Sequence, residues 1–290
     1  MPITGVVPYS LLLTVDVLTL LAIMFHLGLE IAPGGSAAVT TRPGLMLRGL
    51  FAVLVAVPAI AWLVARSFDL PRDTEMGIVL MAISPGAPLA LRRALHAGGD
   101  PSFAPALHIA ITVLAVVSMP LSIAVFNGHY GGTAAVSPPQ LARQIFMVQL
   151  LPLGLGMLVR RVRPALAARI EPRARTLGRV LLVVLLVLVL IGIWQEVIGA
   201  GIRVALAVAI ITLFALAAGH LLGGPQPATR TAAAISSAAR NPGLALLVVT
   251  LNAASPELTQ AVLAYFVVAA ITVTPYEIWR RRVAAPAARS

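Results

Sequence analysis

Two matching stretches decide how this chain folds: Ser84-Pro85-Gly86-Ala87-Pro88 and Arg240-Asn241-Pro242-Gly243, each in the middle of an apolar segment long enough to cross a bilayer. Proline has no backbone donor and leaves a carbonyl unpaired one turn earlier. Lipid tolerates unpaired backbone groups only where they line a cavity or pack against protein. Broken helices in corresponding places of two halves are typical of the substrate site of secondary transporters.

The composition is that of a polytopic membrane protein. Of the 290 residues, 59% are hydrophobic and 11% are charged, with a mean hydropathy of +0.97, whereas about a quarter of the residues of a soluble domain are charged. The net charge of +11 comes from arginines that lie between apolar segments, which indicates membrane topology rather than nucleic-acid binding. The absence of cysteine excludes disulfides and thiolate metal sites.

The apolar segments predict an all-α fold with nine transmembrane helices, since a span needs about 20 apolar residues. The predicted spans are 9–31, 44–66, 74–96, 102–126, 140–161, 177–198, 202–222, 229–253 and 257–279. The broken segments 74–96 and 229–253 run in opposite directions across the membrane. Helices two to four and seven to nine would therefore form an inverted repeat whose breaks meet near the midplane.

The arginines predict the orientation. Four of them lie on one side of the predicted spans, Arg240 lies within a span, and the other sixteen lie on the opposite side; the four are Arg66, Arg72, Arg143 and Arg203. Because arginine accumulates on the cytoplasmic side, we expect a multi-pass protein of the cell (inner) membrane, with the N-terminus outside and the C-terminus in the cytoplasm.

Four stretches resemble the bile acid:sodium symporter family in order and spacing. They are LLAIMFHLGLE at 20–30, VPAIAW at 57–62, MGIVL followed by SPG at 76–86, and RNPGLA at 240–245. The resemblance implies a core domain packed against a panel domain, with substrate in the crevice between them. Its implied boundaries are 1–43 (panel helix one), 44–126 (first core repeat), 127–200 (panel helices five and six), 201–280 (second core repeat) and 281–290 (cytoplasmic tail).

The positions that bind sodium in that family differ in this chain. By spacing, the resemblance assigns them to Val53, Ala90, Leu91, Ala104, His108, Ser236 and Arg240. Sodium requires hard oxygen ligands, and most of these side chains have none. The resemblance implies a secondary transporter of an organic anion that works by alternating access. The missing ligands predict that this transporter is independent of sodium.

Arg240 has three interpretations. It is a built-in cation where sodium would sit and holds the two breaks together, or it binds an anionic substrate through a bidentate contact. Alternatively, it snorkels or forms a structural pair, for instance with Asp16 or Glu277. Each interpretation must meet the cost of about 2.5 to 3.5 kcal/mol for an arginine at membrane depth.

The candidate substrate and crossing region combines both breaks with nearby polar positions. Its residues are Ser84, Pro85, Gly86, Ala87, Pro88, His108, Ser236, Ser237, Arg240, Asn241, Pro242 and Gly243. Asn241 has two compatible interpretations: its amide offers a donor and an acceptor to a cavity, and it caps the second half-helix, because asparagine before Pro-Gly is a good N-cap. His108 either carries a proton or is a neutral packing residue, and Asp16 faces the crevice or the outer water.

Other functions remain as alternatives. One is a proton-coupled or still sodium-coupled symporter of the same family, and another is a membrane receptor that binds a ligand without transporting it. An enzyme is not expected, because the sequence has no HExxH, GxSxG or lysine-containing glycine-rich loop. The expected partners are a small organic anion and the bilayer, without nucleic acid, metal or cofactor.

Overall fold

The computed structural model of the protein describes residues 9–31, 41–129, 138–251 and 254–284, and within them the regular structure is helical. Eleven helices follow one another in this part of the chain. They are α1 (Tyr9–Glu30), α2 (Pro43–Ser67), α3 (Arg72–Ala82), α4 (Pro88–His96), α5 (Phe103–His129), α6 (residues 138–162), α7 (Pro164–Gly199), α8 (Gly201–Leu222), α9 (Pro227–Ala238), α10 (Pro242–Leu251) and α11 (Pro256–Ala284). Most of the predicted tail, 285–290, lies outside the described residues.

Seven helical segments of the described chain are long and apolar enough to cross a membrane. They are Ser10–Glu30, Pro43–Ser67, Phe103–Phe126, Pro139–Val162, Gly201–Leu222, Pro227–Val249 and Pro256–Ala284. Their outer faces are apolar as well: Val117, Leu121 and Val125 lie one turn apart on α5 and are 65%, 62% and 65% exposed. These features confirm an all-α polytopic membrane protein. The count of nine spans stays a prediction.

Both predicted breaks interrupt helices. The first segment is divided into α3 and α4, and the second into α9 and α10. Proline begins each second half, at Pro88 and Pro242, where a missing N–H costs nothing because the first helical residues have no partner within the helix. The two interruptions are therefore half-helix pairs rather than simple kinks.

α7 begins earlier than the sequence predicted. Its predicted start was residue 177, but helix runs from Pro164, and the added turns are rich in arginine. The apolar-window rule missed them because it detects the membrane-crossing part of a helix and not its polar extension. The extension places Glu171 and Arg175 beside the end of α1.

Helices α1, α6 and α7 pack closely against one another. At the crossing of α1 and α6, Gly28 meets Gly156, and a Cβ added to Gly156 would lie 2.9 Å from the Cα of Gly28. Small residues allow membrane helices to approach closely, since dispersion contacts replace the hydrophobic effect there. A larger core of buried aliphatic residues joins α3, α8, α10 and α11, with Ile78, Ile211, Leu244 and Tyr265 among its members.

The crossing of α1 and α6 gives a matched test. We expect Gly156→Ala to lower the free energy of unfolding by about 1 to 3 kcal/mol through overpacking, because its methyl group would overlap α1 backbone. Gly154, on the same helix, has nothing within 4 Å of an added Cβ, so Gly154→Ala should leave stability unchanged or slightly higher. Thermal unfolding of both variants in detergent measures the difference; equal melting temperatures would contradict the close contact.

Candidate functional site

A cavity of about 530 Å³ lies between α1 and α7 on one side and α3, α4 and α9 to α11 on the other, and both helix breaks contribute to its wall. Its surface is mostly apolar, with leucines from α7 and α11 and Phe266 from α11. The polar side chains in the lining include Asp16, Arg93, Arg240 and Asn241. An apolar cavity with few polar groups is the usual form of a small-molecule site.

The two breaks meet directly. The backbone N–H of Asn241 donates to the carbonyl oxygen of Ser84 at 2.9 Å, and its side-chain Nδ2 donates to the carbonyl oxygen of Gly86 at 3.4 Å. Gly86 has a φ of +78°, a left-handed conformation that favours glycine. One residue of the second break therefore pairs two carbonyls of the first.

Asn241 also caps α10, as the sequence predicted. Its Oδ1 accepts a hydrogen bond from the backbone N–H of Leu244 at 3.2 Å, which pairs one of the free donors of the first helical turn. Asn241 is fully buried. A single amide thus stabilises the start of α10 and holds it against the first break.

Arg240 lies at the centre of this crossing and is only 4% exposed. Its Nη1 donates to the carbonyl oxygens of Val53 at 3.1 Å and Ala82 at 2.9 Å, and its Nη2 donates to the carbonyl oxygen of Ser237. The three carbonyls belong to α2, α3 and α9. The guanidinium therefore joins both broken helices to an unbroken neighbour through backbone oxygens alone.

These carbonyls are available for local reasons. Ala82 and Ser237 lie in the last turn of α3 and α9, where carbonyls lack partners within the helix. Val53 lies in a π-helical turn, Ala52–Ala56, in which the N–H of Val57 donates to Ala52. The next donor in that register would be residue 58, but Pro58 has no N–H. Arg240 pairs the oxygen that this proline leaves free.

Arg240 pairs with neither Asp16 nor Glu277, the two acids named as examples for the structural interpretation. Glu277 instead accepts a hydrogen bond from Arg93 Nε at 2.6 Å. The carboxylate oxygens of Asp16 have no hydrogen-bond partner among the described residues. Arg240 is also too enclosed to snorkel. Its contacts hold the two breaks together, and its Nε has no partner in the described chain.

The other predicted site residues fall into two groups. Ala87, Pro242 and Gly243 line the cavity, while Ser84 is fully buried and its Oγ donates to the Leu80 carbonyl in its own helix at 2.7 Å. The residues buried outside the cavity lining are Pro85, His108, Ser236 and Ser237. Pro88 is the first residue of α4.

Ionic contacts at the arginine-rich end of the molecule were not predicted. His26 of α1 contacts Arg92 of α4 and lies 3.4 Å from both Glu30 and Glu171. Arg92 and Arg93 are among the sixteen arginines from which the sequence predicted the orientation, and their contacts were not predicted because the partners come from distant helices. The one indication in the sequence was the spacing of His26 and Glu30, which places a histidine and an acid one helical turn apart.

Gln149 was also missed. It is fully buried in the π-helical turn Phe146–Leu150 of α6, and both polar atoms of its side chain lack partners in the described chain. Its Oε1 would lie 3.8 Å from a Cβ added to Gly86, so it lies beside the first break. Pro152 follows this π-helical turn at the same spacing as Pro58 follows the one in α2, and that repeated spacing was a readable signal.

These features define a polytopic membrane protein whose two broken helices cross at a buried arginine beside an apolar cavity. Residues 17–200, more than half of the chain, match the sodium bile acid symporter family. The chain therefore belongs to this family, as the resemblance implied.

Three curated proteins illustrate the similarity. The uncharacterized sodium-dependent transporter YocS of Bacillus subtilis (strain 168) is 27% identical over 164 residues, which is 56% of this chain and 50% of that protein. The probable chloroplastic sodium/metabolite cotransporter BASS3 of Oryza sativa subsp. japonica is 28% identical over 151 residues, 52% of this chain and 35% of its own length. The P3 protein of Homo sapiens is 33% identical over 85 residues, 29% and 18% of the two chains. The matches thus span half or less of these relatives.

Arg240 gives the test of the site. We expect Arg240→Gln to lower the free energy of unfolding by about 3 kcal/mol, because buried carbonyls of three helices lose their donors and each unpaired group costs about 1 to 3 kcal/mol. Arg240→Lys should fall between the wild type and Arg240→Gln, since an ammonium keeps the charge but lacks the planar fork.

The matched control is Arg203→Gln, because Arg203 is exposed in the first turn of α8. Thermal unfolding in detergent compares the four proteins. A melting temperature for Arg240→Gln equal to that of Arg203→Gln would show that the guanidinium does not hold the breaks together.

Proposed function

We propose that this protein is a secondary carrier that moves an organic anion across the cell (inner) membrane by alternating access, without coupling to sodium. One observation carries the proposal: a fixed cation, Arg240, joins the two helix breaks at the wall of an apolar cavity. The proposal includes an N-terminus outside and a C-terminus in the cytoplasm, on the strength of the arginine distribution.

We infer sodium independence because Arg240 already hydrogen-bonds to the carbonyl oxygens that could otherwise bind a cation. Backbone carbonyls such as those of Val53, Ala82 and Ser237 are hard ligands of the kind sodium prefers, but here they accept hydrogen bonds from Arg240. A second cation about 4 Å from the guanidinium would be repelled by about 4 kcal/mol at an effective dielectric constant of about 20. The sodium dependence given in the names of two relatives is therefore not part of the function proposed for this chain.

An anionic substrate fits the charge of the cavity. The first residues of α4 and α10 lie in its wall, as do Arg240 and Asn241. Helix N-termini carry a partial positive charge, which favours an anion. The leucine-rich remainder of the lining favours an amphipathic or apolar organic acid, and the cavity volume of about 530 Å³ lies within the usual range for small-molecule sites, about 300 to 1,000 Å³.

Alternating access requires two bodies that move relative to one another. We assign α1, α6 and α7 to the panel and the remaining helices to the core, because α1 packs closely on α6 and α7 and the cavity separates α1 and α7 from the broken helices. The contact between His26 of α1 and Arg92 of α4 crosses from panel to core at the arginine-rich end. It would have to break when the core moves.

Uptake by proteoliposomes tests the proposal. We expect radiolabelled cholate, an amphipathic organic acid, to enter vesicles that contain the protein at the same rate with external sodium or external choline. Protein-free vesicles and the Arg240→Gln variant should show little uptake, and Arg203→Gln should behave as the wild type. Uptake that needs sodium would contradict sodium independence, and cholate uptake no faster than in protein-free vesicles would count against the carrier.

A further inference from the structure

Asp16 is a buried acid in the lining of the cavity. It lies in the middle of α1, is 3% exposed, and neither carboxylate oxygen has a hydrogen-bond partner among the described residues. It belongs to the cavity lining. A Cβ added to Gly243 would lie 2.7 Å from its Oδ1, so the carboxyl group faces the first turn of α10 across the crevice between the two proposed bodies.

The charged neighbours of Asp16 can be named from each helix that packs on α1. Within the cavity they are Arg240 and Arg93, and Arg93 is paired with Glu277. α10 carries no titratable side chain, and α6 carries Arg143, Arg160 and Arg161 near its ends. The charged groups of α7 with described side chains, namely Arg169, Glu171, Arg173, Arg175 and Arg179, belong to its arginine-rich first part. His26 contacts both Glu171 and Arg92 of α4, and it lies about 15 Å along α1 from Asp16.

An ionised carboxylate without hydrogen bonds is costly at membrane depth. A neutral carboxyl group costs much less, so this environment favours the form that has bound a proton. The N-terminus of α10, which the carboxyl group faces, acts in the opposite direction and favours the anion. A group held between these two influences is suited to bind and release a proton as the cavity changes its access.

We propose that Asp16 is the proton-binding site of this carrier, and that one proton bound to its carboxyl group moves together with the anionic substrate. This inference rests on the proposed function and names its coupling ion. The step is a protonation only: Asp16 takes a proton from the aqueous phase to which the cavity opens and returns it to the opposite phase after the core has moved.

The charges of the cavity explain why proton and anion would bind together. With Asp16 neutral, Arg240 gives the cavity one net positive charge, because Glu277 neutralises Arg93. With Asp16 ionised, the net charge is zero and an anion meets a like charge. Coupling of this kind typically changes affinity by 5- to 150-fold, and we expect about tenfold tighter anion binding when Asp16 is neutral.

A cation other than the proton is less suited to this position. The described residues contain no cluster of three or more histidine or acidic side chains that could hold a metal ion. A proton needs only one oxygen.

Infrared spectroscopy of the protein in liposomes tests the protonation without any substrate. Near neutral pH, we expect the wild-type spectrum to show the C=O stretching band of a protonated carboxyl group. This band should be absent from the spectrum of Asp16→Asn. Asp69→Asn is the control, because Asp69 is exposed with a φ of +49°, a conformation asparagine adopts readily. A spectrum without this band, or a band unchanged by Asp16→Asn, would overturn the proposal.

Transport measurements separate this inference from the proposed function. An inwardly directed proton gradient should raise cholate accumulation several-fold in the wild type and in Asp69→Asn, whereas Asp16→Asn should exchange cholate without responding to the gradient. The amide has the shape of the neutral carboxyl group, so the variant should fold as the protonated protein does. Accumulation by Asp16→Asn with an undiminished response would overturn the proton site alone, and wild-type vesicles without cholate exchange would count against the carrier itself.

Discussion

The fold depends on pairing the backbone groups that two helix breaks leave free inside the membrane. Lipid offers no hydrogen bonds, so the carbonyls near Ala82, Ser84, Gly86 and Ser237 need donors from the protein. Arg240 and Asn241 supply them from two consecutive positions. Arg240 and Asn241 therefore both stabilise the breaks and hold the two broken helices together where they cross. As a result, α4 and α10 begin beside the cavity.

A fixed cation changes what the crossing can do. A bound ion can leave and carry energy from its gradient, whereas a guanidinium that is part of the chain cannot. In this protein the positive charge is constant, and the group proposed to change its charge is Asp16 across the crevice, whose carboxylate oxygens have no partner among the described residues. In the proposed carrier, Arg240 supplies a permanent charge that attracts the anion, and Asp16 is the titratable acid that couples movement of the anion to a proton.

The sequence predicted the features that depend on local chemistry. Pro-Gly motifs predicted both breaks, asparagine before proline predicted the cap of α10, and opposite directions of the broken segments predicted that they meet. It did not predict the acceptors of Arg240, because these belong to the backbone of distant helices and carry no side-chain signal. Val53 was recognisable only through Pro58, five residues later, and the arginine-rich start of α7 was hidden by its polarity.

The central claim is that Arg240 occupies the position of a cation between the two breaks. Equilibrium binding of radiolabelled sodium to the purified wild-type protein tests it most directly, with choline present to keep the ionic strength constant. The account predicts no saturable sodium binding, because the carbonyls of Val53, Ala82 and Ser237 already accept hydrogen bonds from the guanidinium. Saturable binding that unlabelled sodium displaces would contradict it.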